Sequence, residues 1–277
     1  VAHGEVGVTT STFALRSVPA TPIAGVPVLE FRTFGVRPAH RSDWAVRGVS
    51  LQVPAGQITA LLGPPGEGKT ALLRAVDRLH DDTGGARYEG DILLDGNSVL
   101  APTVDVLLLR HKVGMLFPRP ALFHGTVFDN VAYGPALARA VPERDLPEVV
   151  ESALRAAGCW DELADQLDAP AASFGPGLAQ RLCLARALAT RPRVLLLDEP
   201  CALLDPGATG RFEEALFAIR RQVTLVLATH DLQQAARIAD HCAYLSGGTL
   251  VEAGPAHQLF TRPSDPRTEA YLTGRGG

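Results

Sequence analysis

Lysine is nearly absent from this chain. Of its 26 lysines and arginines, only Lys69 and Lys112 are lysines. The net charge is −4 and no long basic block occurs, so the electrostatic footprint of a nucleic-acid binder is missing and no nucleic-acid partner is expected. No apolar run approaches the ~18–20 residues that a membrane-spanning helix needs. The four cysteines, Cys159, Cys183, Cys201 and Cys242, form no C-x-x-C pair. That spacing indicates neither a zinc site nor a disulfide framework, and buried reduced thiols of a cytosolic protein are expected. Residues 1–27 lack both a basic start and a continuous apolar stretch. They do not read as a signal peptide, and a weakly ordered extension is expected there.

One of the two lysines lies in the most informative stretch. Gly63-Pro64-Pro65-Gly66-Glu67-Gly68-Lys69-Thr70 reads G-x-x-x-x-G-K-T. The apolar run Ile58–Leu62 precedes it and the helix-like Ala71–Val76 follows. Strand, glycine-rich turn and helix in that order make a cradle for phosphate: backbone N–H groups approach the anion and the helix N-terminus adds favourable partial charge. Lys69 can reach the β- and γ-phosphates, and the Thr70 hydroxyl can ligand magnesium. A composition that otherwise prefers arginine keeps a lysine where a compact, flexible ammonium is needed. The implied ligands are a nucleoside triphosphate and Mg2+.

With 277 residues the chain can bury a sizeable core. Strands are predicted at Val28–Phe34, Val49–Val53, Ile58–Leu62, 91–96 and 113–117, the last stopped by Pro118. From about residue 122 to 190, apolar and charged residues recur at helical spacing, which predicts an inserted helical subdomain. Strand Val194–Asp198, helix Pro206–Arg221, strand Thr224–Thr229 and helix Asp231–Ala239 then alternate. Two strands flank Gly247-Gly248 and a helical tail follows. The expected fold is α/β: a P-loop NTPase core with a mostly parallel sheet, an antiparallel strand subdomain and the helical insert.

Leu195-Leu196-Leu197-Asp198-Glu199-Pro200 supplies the second half of a nucleotide site. Asp198, at the end of a buried strand, can hold magnesium. Glu199 can orient or deprotonate an attacking water. His230 ends the next strand and can hydrogen-bond a γ-phosphate. The remaining histidines have no such context.

The order of these motifs resembles the ATP-binding subunit of an ABC transporter, and within that group the phosphate-importer ATPases. The segments that carry the resemblance are Gly90–Gly96, Arg181-Leu182-Cys183-Leu184-Ala185-Arg186, Asp198-Glu199-Pro200-Cys201, Thr229–Arg237 and Tyr271–Arg275. It spans residues 28 to 276. It implies ATP with Mg2+ as cofactors, Glu199 and His230 as catalytic residues, and a peripheral position on the cytoplasmic face of the cell membrane. Implied partners are integral membrane permease subunits, a second ATPase copy or a different ATPase in a head-to-tail dimer, and indirectly an extracytoplasmic phosphate-binding protein. It also implies an adenine-stacking aromatic, for which Phe34 and Trp44 are the candidates.

The chain departs from that family in three places. Phe174-Gly175-Pro176-Gly177-Leu178 stands where LSGGQ is usual, which removes a hydroxyl, a backbone N–H and a side-chain amide. Pro118 replaces a glutamine. Ala202-Leu203-Leu204-Asp205 keeps the aspartate of its turn but lacks the usual serine. Residues that bind ATP within one chain are therefore kept, while those that read ATP across a dimer are eroded. Two rival readings follow: a nucleotide-binding regulatory or partner subunit with weak ATPase activity, and a soluble ABC ATPase with no transport role.

Overall fold

The structure is a computed structural model that describes residues 27–275. Residues 1–26 of the expected extension lie outside the described residues, and Pro27 already opens the first strand.

The chain begins with β1 (Pro27–Pro38), β2 (Val46–Pro54) and β3 (Ile58–Leu62), followed by α1 (Lys69–Val76). Next come β4 (Ala86–Leu94), the two-residue β5 (Asn97–Ser98), α2 (Val106–Lys112) and β6 (Val113–Leu116). Helices α3 (Val127–Leu137), α4 (Leu146–Ala156), α5 (Trp160–Leu163) and α6 (Pro176–Ala189) then occupy the stretch before β7 (Val194–Asp198). The remainder is α7 (Pro206–Ile219), β8 (Thr224–Thr229), α8 (Leu232–Ile238), the hairpin β9 (His241–Ser246) and β10 (Thr249–Pro255), α9 (Ala256–Thr261) and α10 (Pro266–Leu272).

Two sheets form. One is antiparallel, in the order β2-β1-β4-β5. The other runs β10-β9-β3-β8-β7-β6 and is parallel except for its edge strand β10. The α/β fold with its antiparallel strands and helical segment agrees with expectation.

The central strands β3, β7 and β8 are buried at every residue because both faces of the sheet are covered. Alternation along β7 shows how. Val194 and Leu196 point to one side, into a cluster with Leu72 and Leu73 of α1. Leu195 and Leu197 point to the other side, into a cluster with Val131, Val150 and Leu182 of α3, α4 and α6. Each such side chain contributes about 1.5–3 kcal/mol by leaving water. The two-sided burial fixes β7 tightly, and Asp198 is carried at its end.

Helix α2 has no counterpart among the expected elements. Its cap is clear in the structure: Asp105 Oδ1 accepts from the N–H groups of Leu107 and Leu108. Its apolar residues do not form a face, however. Val106–Leu109 are four apolar residues in a row, so the sequence shows no helical alternation, although in the structure Leu107 is 74 % exposed and Leu109 is buried. Strand β4 also begins earlier than expected, at Ala86 rather than Asp91, because it pairs along the whole of β1.

Candidate nucleotide site

Strand order brings the motifs together. β8 lies between β3 and β7, and all three are parallel. Their carboxyl ends share one edge of the sheet, so the turn after β3, Asp198 at the end of β7 and His230 just after β8 become neighbours. Crevices beyond the carboxyl ends of parallel strands are the usual ligand sites of open α/β sheets.

The turn Gly63–Thr70 wraps the N-terminus of α1. Gly68 caps the helix with φ near 90°, in the left-handed region. A Cβ there would run into Val46 Cγ1 and Ala45 O, and one on Gly63 would run into Leu245 O. Only glycine lets the turn pack so closely between β2 and the β9–β10 hairpin. Glu67 ties the turn to that hairpin, its Oε2 accepting from Gly248 N–H at 3.1 Å. Pro65 and Gly66 stay exposed at the tip, and Pro64 is half-buried.

Lys69 is buried, and its Nζ donates to Gly63 O (2.5 Å) and Pro64 O (2.9 Å). Burial pulls its pKa down, and the carboxylates of Glu199, Asp198 and Glu67 work against that shift. The ammonium thus rests on carbonyls of its own turn and, among the described residues, pairs with no carboxylate. It is ready to move onto an anion of higher charge.

Thr70 Oγ1 donates to Asp198 Oδ1 at 2.8 Å. Burial raises the pKa of Asp198, and the bond from Thr70 opposes that shift. A buried carboxylate next to a hydroxyl is a hard-oxygen donor pair that would fit magnesium. Among the described residues no cluster of three or more His, Cys, Asp or Glu forms a metal site.

Glu199 follows Asp198 with φ 47°. A non-glycine residue in that region is uncommon and strained. The kink turns its side chain towards β8, where Oε2 meets His230 Nδ1 at 2.8 Å. The imidazole is about half exposed and the carboxylate 21 % exposed. A cleft of about 880 Å³ between α7 and α8 opens beside the pair, lined also by Cys201, Phe217 and Gln234.

The two aromatic candidates separate. Phe34 is fully buried, packed on Phe31 and Tyr88 with ring centroids 5.8 and 6.0 Å away. It has no face open to a base, because it lies in the core of the antiparallel sheet. Trp44 is half-buried beneath the Arg47 guanidinium, 5.2 Å from the ring centroid. It is next to Ala45, whose carbonyl backs Gly68. Of the two candidates, Phe34 is fully buried and only Trp44 keeps exposed ring surface.

The Gly175–Leu178 segment forms the N-terminus of α6. Gly175 is the N-cap with no side-chain cap bond, and Pro176 fills the first helical position. Gly177 backs onto α7, where a Cβ would lie 2.6 Å from Ala208 Cβ. One contact escaped sequence reading. Gln180 Nε2, one turn into α6, donates to Phe117 O at 2.9 Å. Gln180 is buried, and its Oε1 has no partner among the described residues. The bond joins the altered signature segment to the loop that carries Pro118. A polar residue at a core-facing position of α6 was the signal that could have revealed it.

A glycine-rich turn, a hydroxyl–carboxylate pair and a carboxylate–imidazole pair at one sheet edge define a nucleoside-triphosphate-binding P-loop protein. The family profile described as ABC transporter matches residues 46–202, and the chain belongs to that family as an ATP-binding ABC ATPase. Two solved structures are similar. CbiO1 from Clostridium perfringens, part of the ABC transporter complex CbiONQ, is 25% identical with a TM-score of 0.76, over 86% of this chain and 92% of that one. A bacterial Atm1-family ABC exporter with ATP bound is 26% identical with a TM-score of 0.75, over 96% of this chain and 45% of the exporter. Among the described residues no helix is long and apolar enough to cross a membrane.

Proposed function

We propose that this chain is the ATP-hydrolysing subunit of a phosphate-import ABC transporter, held peripherally on the cytoplasmic face of the cell membrane by permease subunits. The observation that carries the ATPase part is the meeting of Thr70 with Asp198 and of Glu199 with His230 at the edge of one sheet. Phosphate as cargo rests on the Arg181–Arg186, Asp198–Cys201 and Thr229–Arg237 segments and their resemblance to the phosphate-importer ATPases. An extracytoplasmic phosphate-binding protein would deliver that cargo.

In this reading the backbone of Gly63–Thr70 and the Lys69 ammonium bind the phosphates. Trp44 stacks on the base. Thr70 and Asp198 would hold Mg2+, which supplies charge neutralisation on the transferred phosphoryl group. Glu199 accepts a proton from the attacking water, and His230 orients the carboxylate from its Nδ1 side. Two copies, or this chain and a second ATPase, would face each other so that the Gly175–Leu178 segment of one covers the cradle of the other. CbiO1 is part of an ABC transporter complex, which supports membrane permease subunits as partners here.

The second reading is a nucleotide-binding partner with slow turnover. It is favoured by Gly175, Pro176 and Leu178, which together remove three polar groups from the surface that would meet the opposite nucleotide. A hydrogen bond to a charged group contributes about 1.5–3 kcal/mol, so losing two slows chemistry by orders of magnitude. Steady-state ATP turnover of the chain assembled with its permease, in the presence and absence of phosphate, separates the two. Phosphate-stimulated turnover that disappears in Glu199→Gln supports the transporter ATPase. ATP binding without turnover supports the partner subunit, and turnover indifferent to phosphate removes phosphate as the cargo.

A further inference from the structure

Strands β1 and β4 set two arginines directly opposite each other. Arg37 pairs with Arg87 in antiparallel register, so both side chains rise from the same face of the sheet. Like charges in that relationship repel and weaken the pairing. Arg41, in the loop after β1, lines the same cleft, whose volume is about 540 Å³. Ala39, Gly84 and Gly85 also line it, and among the described residues a Cβ on Gly85 would meet nothing within 4 Å.

Among the described residues none of the three arginines has a salt-bridge partner. The carboxylates nearest in sequence are engaged elsewhere: Asp81 with Arg78, Asp82 with Arg110 and Glu89 with Arg47. Asp43 accepts from the Ser42 hydroxyl. Arg37 itself makes one long bond, from Nη1 to Ser42 O at 3.3 Å. In a chain of net charge −4, three guanidinium groups thus converge on one cleft without a counter-charge. None of the lining residues belongs to Gly63–Thr70.

We propose that this cleft is a second anion site, which takes a phosphate oxyanion between Arg37, Arg41 and Arg87. Planar guanidinium groups match tetrahedral phosphate through paired N–H donors, and a bound dianion cancels the repulsion between Arg37 and Arg87. Free phosphate and a phospholipid headgroup present the same chemistry. The loop from Arg41 to Trp44 leads directly to Ala45, which backs Gly68, so an anion here lies one loop away from the nucleotide cradle.

The test is calorimetric titration of inorganic phosphate into the full chain carrying Lys69→Ala, which silences the first cradle. Saturable binding should persist there. It should weaken by about tenfold or more when Arg37→Gln or Arg87→Gln is added, as expected for loss of charge-assisted bonds. Each arginine variant, made alone, should melt no lower than the parent in phosphate-free buffer, since a repulsion is removed. Phosphatidylglycerol vesicles form the second arm: retention that depends on Arg37 and Arg87, without saturable free-phosphate binding, assigns the site to a headgroup. The proposal fails if neither probe depends on these arginines. It also fails if chloride at equal ionic strength competes as well as phosphate does, or if the variants melt below the parent.

Discussion

His230 Nδ1 lies 2.8 Å from Glu199 Oε2 across the ends of two adjacent parallel strands. Glu199 reaches that position only through a left-handed backbone kink. Glu199→Gln keeps the shape and removes the base. It should lower ATP turnover by about 10²–10⁴-fold, the usual worth of a positioned proton acceptor, while ATP binding by equilibrium dialysis stays close to the parent. His230→Ala should lower turnover as well, with a smaller loss. Unchanged turnover in Glu199→Gln would assign the base elsewhere.

The Thr70–Asp198 bond makes a separate statement about the metal. Thr70→Ala and Asp198→Asn should each weaken ATP affinity measured with Mg2+ by about tenfold or more, because each removes a hard-oxygen ligand or its orienting partner. Affinity for ATP in the presence of EDTA should change much less. Equal losses in both conditions would mean that the pair supports the turn and has no part in holding the ion.

Gly68→Ala tests whether the close approach to β2 is required. The added Cβ meets Val46 and the Ala45 carbonyl in a backbone conformation that alanine resists. The variant should lose about 1–3 kcal/mol of stability in a urea titration, and nucleotide binding should fall with it. Gly66→Ala makes the control, since a Cβ there would meet nothing within 4 Å and only the strain at φ near 91° remains.

Gly175→Ser combined with Pro176→Gly restores a hydroxyl and a backbone N–H at the start of α6. If the chain turns over ATP as a dimer, the rate should rise by about tenfold or more. Thermal stability should move the other way by about 0.5–1 kcal/mol, because proline suits the first helical turn and glycine loosens the unfolded chain. A stability loss with no gain in turnover would show that the altered segment does not limit the chemistry.

Asp77 offers a pH test away from the site. It closes the C-terminus of α1, where burial pushes its pKa up to about 7 and the bond from Leu79 N–H only partly offsets this. A carboxyl whose pKa is raised by folding favours the folded state fully below its unfolded value near 4. That contribution is lost as pH rises through about 7, because the folded chain must then hold a buried charge. A tenfold difference in proton affinity between the folded and unfolded chain corresponds to about 1.4 kcal/mol. Asp77→Asn should therefore gain stability over the parent between pH 5 and pH 8, and urea titrations at those two values measure it. A parallel pH dependence in both proteins would show that Asp77 does not titrate in this window.

Much of the site was legible because its chemistry is local. Gly63–Thr70 sets its own turn, and the apolar runs Val194–Leu197 and Leu225–Ala228 place Asp198 and Thr229 at strand ends by their pattern alone. Phe34 shows where local reading stops. Its position before Gly35 suits an adenine contact, yet pairing of β1 with both β2 and β4 turns the ring into the core. The exposed leucines of α2 likewise hide a helix that Asp105 caps.

From the residues alone came the P-loop, the ligand class and the family, since each depends on short segments whose backbone needs are set by glycine, proline and strand periodicity. Tertiary structure decided what depends on neighbours distant in the chain. Parallel packing of β3, β8 and β7 closed the bonds Thr70–Asp198 and Glu199–His230. The register of β1 on β4 faced Arg37 with Arg87, and α6 brought Gln180 onto the Phe117 carbonyl. Strand order and register arise from burying two faces of one sheet, a global balance that no single segment contains.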